Sequence, residues 1–163
     1  MGLYASYVAV SDDEVRSVAV DEDALSDAID SLWADRPSAD IDKMWHGLHA
    51  LLTGTPVAAL VPGVALSAAI FGTVELHDGE SGFSTVAAKE VTGIATALRA
   101  VDRDALDRAF DPARLESDDI YPRGWLTDDR DEHLDELRSA LDALTGLYEA
   151  ARDHGFGVLV QIA

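Results

Sequence analysis

The chain has 163 residues, no cysteine, and 31 acidic against 12 basic side chains, for a formal net charge of -19. A single domain of that length buries enough surface to fold without a disulfide or structural metal, and the missing thiols exclude disulfide scaffolds, thiolate zinc sites, iron–sulfur clusters and a cysteine nucleophile. The acidity repels nucleic-acid phosphates and anionic membranes; with no signal-peptide pattern at the start and no apolar run near the roughly 20 residues of a membrane span, the expected location is the cytoplasm, with neither nucleic acid nor membrane as partner.

The opening LYASYVAV is apolar and rich in Val and Tyr, which suits a strand buried on at least one face. Ser11-Asp12-Asp13-Glu14 has the spacing of a capping box and starts a short helix. Between Asp21 and Trp33, apolar residues at steps of three and four mark an amphipathic helix that ends before Pro37. The segment DIDKMWHGLHALLTG, from Asp40 to Gly54, reads as one helix capped by Asp40 and closed by Gly54. Its Ile41, Trp45, Leu48 and Leu52 fall on one face, which the core must cover.

Two prolines and small residues between Thr55 and Gly63 indicate a loop, followed by a short apolar helix from Val64 to Phe71 that Gly72 stops. Thr73 to Leu76 is a brief strand, HDGESG a turn, and Phe83 to Val86 a second strand. Helices follow from Ala87 to Ala100, from an Asp102 cap through Phe110, and from Asp111-Pro112; ESDDIYPRGW is irregular. The longest helix runs from about Asp129 to Asp153 with a heptad-like stripe of Leu134, Leu137, Leu141, Leu144, Tyr148 and Ala151, a core face or an oligomer interface. Gly155 ends it, and FGVLVQI is a strand central in a sheet. Strands at both termini with helices between them give a single α+β domain over residues 1–163.

Three segments together resemble the YfbM-like family, small bacterial proteins with a domain of unknown function: the MGLYASYVAV start with SDDE, the stretch DIDKMWHGLHALLTG, and IYPRGW from Ile120 to Trp125 with the last apolar strand beyond it. The chain departs from the family pattern at GFSTVAAKE, Gly82 to Glu90, where a turn and a Ser or Thr helix cap are usual. The resemblance implies a small, mainly antiparallel sheet that includes both terminal strands and is covered by helices. It brings no catalytic residues with it.

On a helical wheel Asp42, His46 and His49 form one polar ridge beside the apolar stripe, spaced so that a divalent metal or a proton-transfer pair is sterically possible. The pattern lacks the four-residue His spacing of the zinc hydrolases, so a structural role for both imidazoles is the plainer reading. Lys43 completes a candidate binding ridge, either as a local ion-pair partner or as an attractor for an anionic ligand. Trp45, Tyr121 and Trp125 are candidate pocket aromatics, with core packing the competing role. No nucleotide fingerprint and no Gly-x-Ser-x-Gly elbow is present. The chain therefore reads as a binding or accessory module for a protein partner or small ligand, immunity-like in one version, with no cofactor implied. A metal-dependent hydrolase on Asp42, His46 and His49 is the alternative. The acid surplus fits biased codon usage, a salty cytoplasm or a basic partner, and oligomeric state is open.

Overall fold

Ser11 ends the first strand, β1 (Ala5–Val10), and starts the first helix, α1 (Asp12–Val18), through a reciprocal pair of bonds. Its Oγ accepts from the Glu14 N–H at 3.1 Å, and Glu14 Oε2 accepts from the Ser11 N–H at 2.8 Å. Glu14 also bonds Arg36, and that guanidinium, with the Ser11 amide, holds its carboxyl below the usual carboxylate range. Ser11→Ala leaves the Glu14 amide without its side-chain acceptor and is expected to cost about 1 kcal/mol in denaturant unfolding.

The structure, a computed structural model, describes residues 2–77 and 81–163. After α1 come α2 (Glu22–Leu32), β2 (Ser38–Asp40), a 3-10 turn (Asp42–Met44), α3 (Trp45–Thr53), α4 (Ala65–Phe71), β3 (Val74–Glu75), β4 (Phe83–Val86), α5 (Ala88–Arg99), α6 (Arg103–Ala109), α7 (Pro112–Ser117), α8 (Arg130–His154) and β5 (Gly157–Ile162). The strands form one antiparallel sheet in the order β2-β1-β5-β4-β3, with the two terminal strands paired at its centre. This is the α+β architecture that the terminal strands implied. The expected HDGESG turn includes residues 78–80, which lie outside the described residues.

Alternation along the strands divides the sheet into two covered faces. One carries Tyr7, Val86, Val158 and Val160 under α3, α4, α5 and α8; the other carries Val8, Val10, Phe83 and Leu159 under α1 and α2. Two buried tyrosines satisfy their hydroxyls on neighbouring carbonyls of α4: Tyr7 Oη donates to Ile70 O at 3.0 Å and Tyr148 Oη to Ala69 O at 2.9 Å. Those bonds tie α4 to the sheet and to α8 across the centre of the core.

The start of α5 shows how the chain manages without the usual cap. Ala87 has no side-chain oxygen, but Glu90 Oε2 accepts from the Ala87 N–H at 3.2 Å, and Asp12 of α1 takes the Ala88 N–H at 3.0 Å. A residue distant in sequence thus supplies an acceptor for an otherwise unpaired helix amide. In α8 the residues Leu137, Leu141, Leu144, Tyr148 and Ala151 have no exposed surface in the single chain. The stripe is therefore a core face and not an oligomer interface, because its leucines are covered within the one chain.

Candidate functional site

The segment expected to be one helix from Asp40 is three elements. Ser38–Asp40 is an edge strand on β1, and the Ile41 N–H continues that contact to Ala5 O at 3.1 Å. Asp42 then adopts φ 49°, a left-handed conformation that Asp tolerates better than most residues. Asp40 Oδ1 accepts the Asp42 N–H at 2.7 Å, so Asp40 caps a turn rather than a helix, and α3 begins only at Trp45. Gly54 closes it in the left-handed conformation, as expected. Ile41, Trp45 and Leu48 are buried and Leu52 is partly so.

This break separates the proposed ridge. Asp42 borders an open cleft of about 670 Å³ against α8, together with Asp40, Glu132, Asp135 and Glu136. His46 faces elsewhere and is buried: its Nδ1 accepts the Tyr121 N–H at 3.0 Å, and its Nε2 lies 2.8 Å from the Pro56 carbonyl. Both ring nitrogens are thus engaged, and the two contacts fix the ring between α3 and the loops at residues 56 and 121. His49 is fully buried, with Nε2 2.8 Å from Ser67 Oγ, which also accepts the Val61 N–H at 2.8 Å. Among the described residues its Nδ1 has no partner within hydrogen-bonding geometry. Burial, reinforced by His46 and opposed by the Val57 carbonyl, pushes the His49 pKa down to about 4. Among the described residues, no three His, Asp or Glu side chains are grouped to hold a metal ion.

The three segments that carry the family resemblance meet in one place. Trp45 Nε1 donates to Leu3 O at 3.2 Å, and the Leu3 N–H donates to Tyr121 Oη at 2.8 Å. The Trp45 ring stacks with His46 and Tyr121 at centroid distances of 5.3 and 5.7 Å, while Lys43 Nζ sits 5.3 Å from the centre of the Tyr4 ring. Trp125 lies in the core against Gly47, with Nε1 donating to Ile120 O at 2.8 Å. Tyr121 and Trp125 thus tie the loop at 120–125 to α3. Tyr121→Phe removes the acceptor of the Leu3 amide; hydrogen exchange at Leu3 is expected to quicken while overall stability falls by about 1 kcal/mol or less.

Trp45 does border an open groove of about 490 Å³, which it shares with Phe71, Val74, Glu75, Phe83 and Ile162 and with the loop at Ala58 to Leu60. The sequence shows a short strand from Thr73 to Leu76, observed at Val74–Glu75, but carries no sign that this strand is the outer edge of the sheet. Only the strand order reveals it.

A family described as "Domain of unknown function (DUF1877)" matches residues 1–161. The chain belongs to this family. Protein YfbM of Escherichia coli (strain K12) is 30% identical over 124 residues, which cover 75% of this chain and 74% of that protein. The crystal structure of a protein of unknown function, YfbM from Escherichia coli, superposes with a TM-score of 0.76 at 22% identity, covering 98% of this chain and 99% of that one. The likeness extends the shared sheet-and-helix arrangement over nearly the whole length of both family members.

Proposed function

We propose that this family member is a non-enzymatic binding module for a basic protein partner. The observation that carries the reading is how its charge is distributed. Every arginine, from Arg16 to Arg152, lies within ion-pairing distance of a carboxylate, yet the chain retains a net charge of -19. The arginines are locally compensated and the acid surplus remains, a field that speeds encounter with a cationic surface and repels phosphate polymers. An immunity-like protein that covers a basic toxin is one specific form of this reading.

The hydrolase alternative has less support. Asp42 opens onto a cleft that neither imidazole lines, the Nδ1 lone pair of His46 is committed to the Tyr121 amide, and His49 is enclosed. A metal would have to break the first contact and open the second. Affinity capture from the cells that encode the chain, at low and moderate salt, is expected to return a basic protein in stoichiometric amount that is released as salt rises. Recovery of no salt-sensitive partner overturns the reading, and stoichiometric metal in the untagged protein would favour the alternative.

A further inference from the structure

We infer that the groove beside β3 is a docking site for an extended, arginine- or lysine-bearing peptide segment, which adds a sixth strand to the sheet at β3. The inference rests on the binding-module reading and assigns it a surface and a mode of recognition.

The backbone supplies the first argument. β3 ends the strand order and, among the described residues, pairs with β4 on one side only. The Leu76 N–H bonds Phe83 O at 3.0 Å, and Glu75 stands opposite Ser84. In an antiparallel ladder this makes Glu75 and Ser84 a non-hydrogen-bonded pair, so the Glu75 N–H and C=O point away from β4, toward the open side. A sheet edge with free backbone groups is a template for another strand.

Side chains supply the second. Side chains of an added strand alternate between the two faces of the sheet, and the groove wraps the edge to meet both. Trp45 and Phe71 belong to the core on one face; Phe83 packs with the core on the other, and Val74, opposite Thr85, lies on that same side. Val74 is 55% exposed and Val57, at the rim of the Ala58 to Leu60 wall, is 54% exposed. The wall behind them is preformed: Gly72 turns α4 into β3 at φ 71°, with no room for a Cβ beside Ser84, whose Oγ donates to Phe71 O at 2.6 Å. Val74 on one face and the partly exposed Phe71 on the other therefore flank an edge that is unpaired among the described residues, with Phe83 and Trp45 beneath them.

Charge decides the partner's chemistry. Glu75 is an exposed carboxylate on the groove, and the chain as a whole is strongly acidic. An acidic segment is repelled, whereas an apolar segment interleaved with Arg or Lys places alternate residues in the groove and against Glu75.

The test is amide and indole chemical-shift mapping with a short blocked peptide of alternating valine and arginine, beside the same peptide N-methylated at alternate residues. The methyl groups leave charge and side chains in place but remove the donors that would face β3. Saturable shifts are expected at Val74, Glu75, Ser84 and the Trp45 indole, with the methylated peptide about tenfold weaker. Glu75→Pro removes the outward N–H without removing a ladder bond, since an edge strand tolerates proline there. It should abolish binding, whereas Glu75→Gln, which keeps the N–H, should only weaken it; unchanged amide spectra elsewhere show that both variants fold. Equal affinity for the two peptides, shifts that map to other surfaces, or no shifts at all would overturn the edge site. In the first two outcomes a salt-sensitive basic partner still leaves the binding-module reading standing, and failure of the capture experiment removes that reading on its own terms.

Discussion

Replacement of Trp125 by alanine is expected to lower the unfolding free energy by about 3–5 kcal/mol, the range for truncating a buried aromatic. Trp125 heads the fully buried side chains by volume; its ring packs on Gly47 of α3, on Phe110 at a centroid distance of 6.2 Å and on His133 at 4.9 Å, and its indole N–H satisfies the buried Ile120 carbonyl. The substitution opens a cavity among three elements and leaves that carbonyl unpaired. A companion variant isolates the contact. Glycine to alanine inside a helix ordinarily stabilises by roughly 0.5–1 kcal/mol, but a Cβ on Gly47 falls 2.6 Å from Trp125 Cη2 and 2.8 Å from Cζ2. Gly47→Ala should therefore destabilise, as overpacking does. Trp125→Phe removes the two crowded atoms, so the double variant should be more stable than the sum of the single effects. Strict additivity in urea unfolding would show that the close approach carries no energy.

Helices and central strands were legible because their residues report local rules. Ser11 and Glu14 form the box their spacing announces, Asp129 caps α8, and Gly155 ends it in the left-handed conformation. The leucine stripe of α8 faces the core throughout. The edge strand β2 carries no signal of its own, since Ser38, Ala39 and Asp40 have no apolar alternation; β1, not their own composition, makes them a strand. The same cause displaced the start of α3. Acids at 40 and 42 look like a first helical turn, and nothing local says that Asp40 is held by a ladder while Asp42 turns the backbone over.

The candidate site was legible as a set of residues and not as an arrangement. A helical wheel places His46 and His49 at the margin of the apolar face, and a margin is solvated only if no other segment covers it. Here residues 56 and 121 cover His46, and α4, through Ser67, covers His49. Contacts across 75 and 18 positions of sequence carry no periodic signal. The family resemblance did hold that information indirectly: the segments that bear it, at residues 2–4, 43–49 and 120–125, are the ones that interlock.

Acidification is expected to expose His49 as a stability liability. In the folded chain its pKa is held at about 4 against an ordinary 6.5, because burial disfavours the imidazolium. The unfolded chain binds the proton once the pH falls below 6.5, and the folded chain does not until near 4. Stability is thus intact above the higher value and drains away as pH falls between the two, by about 3 kcal/mol at pH 4. Other groups act in this range and below it. Glu14, held low by Arg36 and Ser11, keeps its full contribution above the ordinary value of 4.5 and loses it as pH falls below that, while protonation of surface carboxylates relieves the self-repulsion of a chain at -19 and works in the opposite direction. The wild-type curve alone mixes these effects. His49→Gln retains a polar side chain beside Ser67 but has nothing to titrate, so at constant ionic strength the wild type should lose more stability than the variant between pH 7 and pH 4, by about 3 kcal/mol. Parallel curves in urea unfolding would mean that the folded protein accepts the proton readily, which requires either an opening at α4 or an acceptor for the second ring nitrogen that rises to meet it. Either would show that the enclosure of His49 by Ser67 and Phe71 yields as the pH falls below 6.5, and the imidazole would return to the inventory of groups that a ligand can reach.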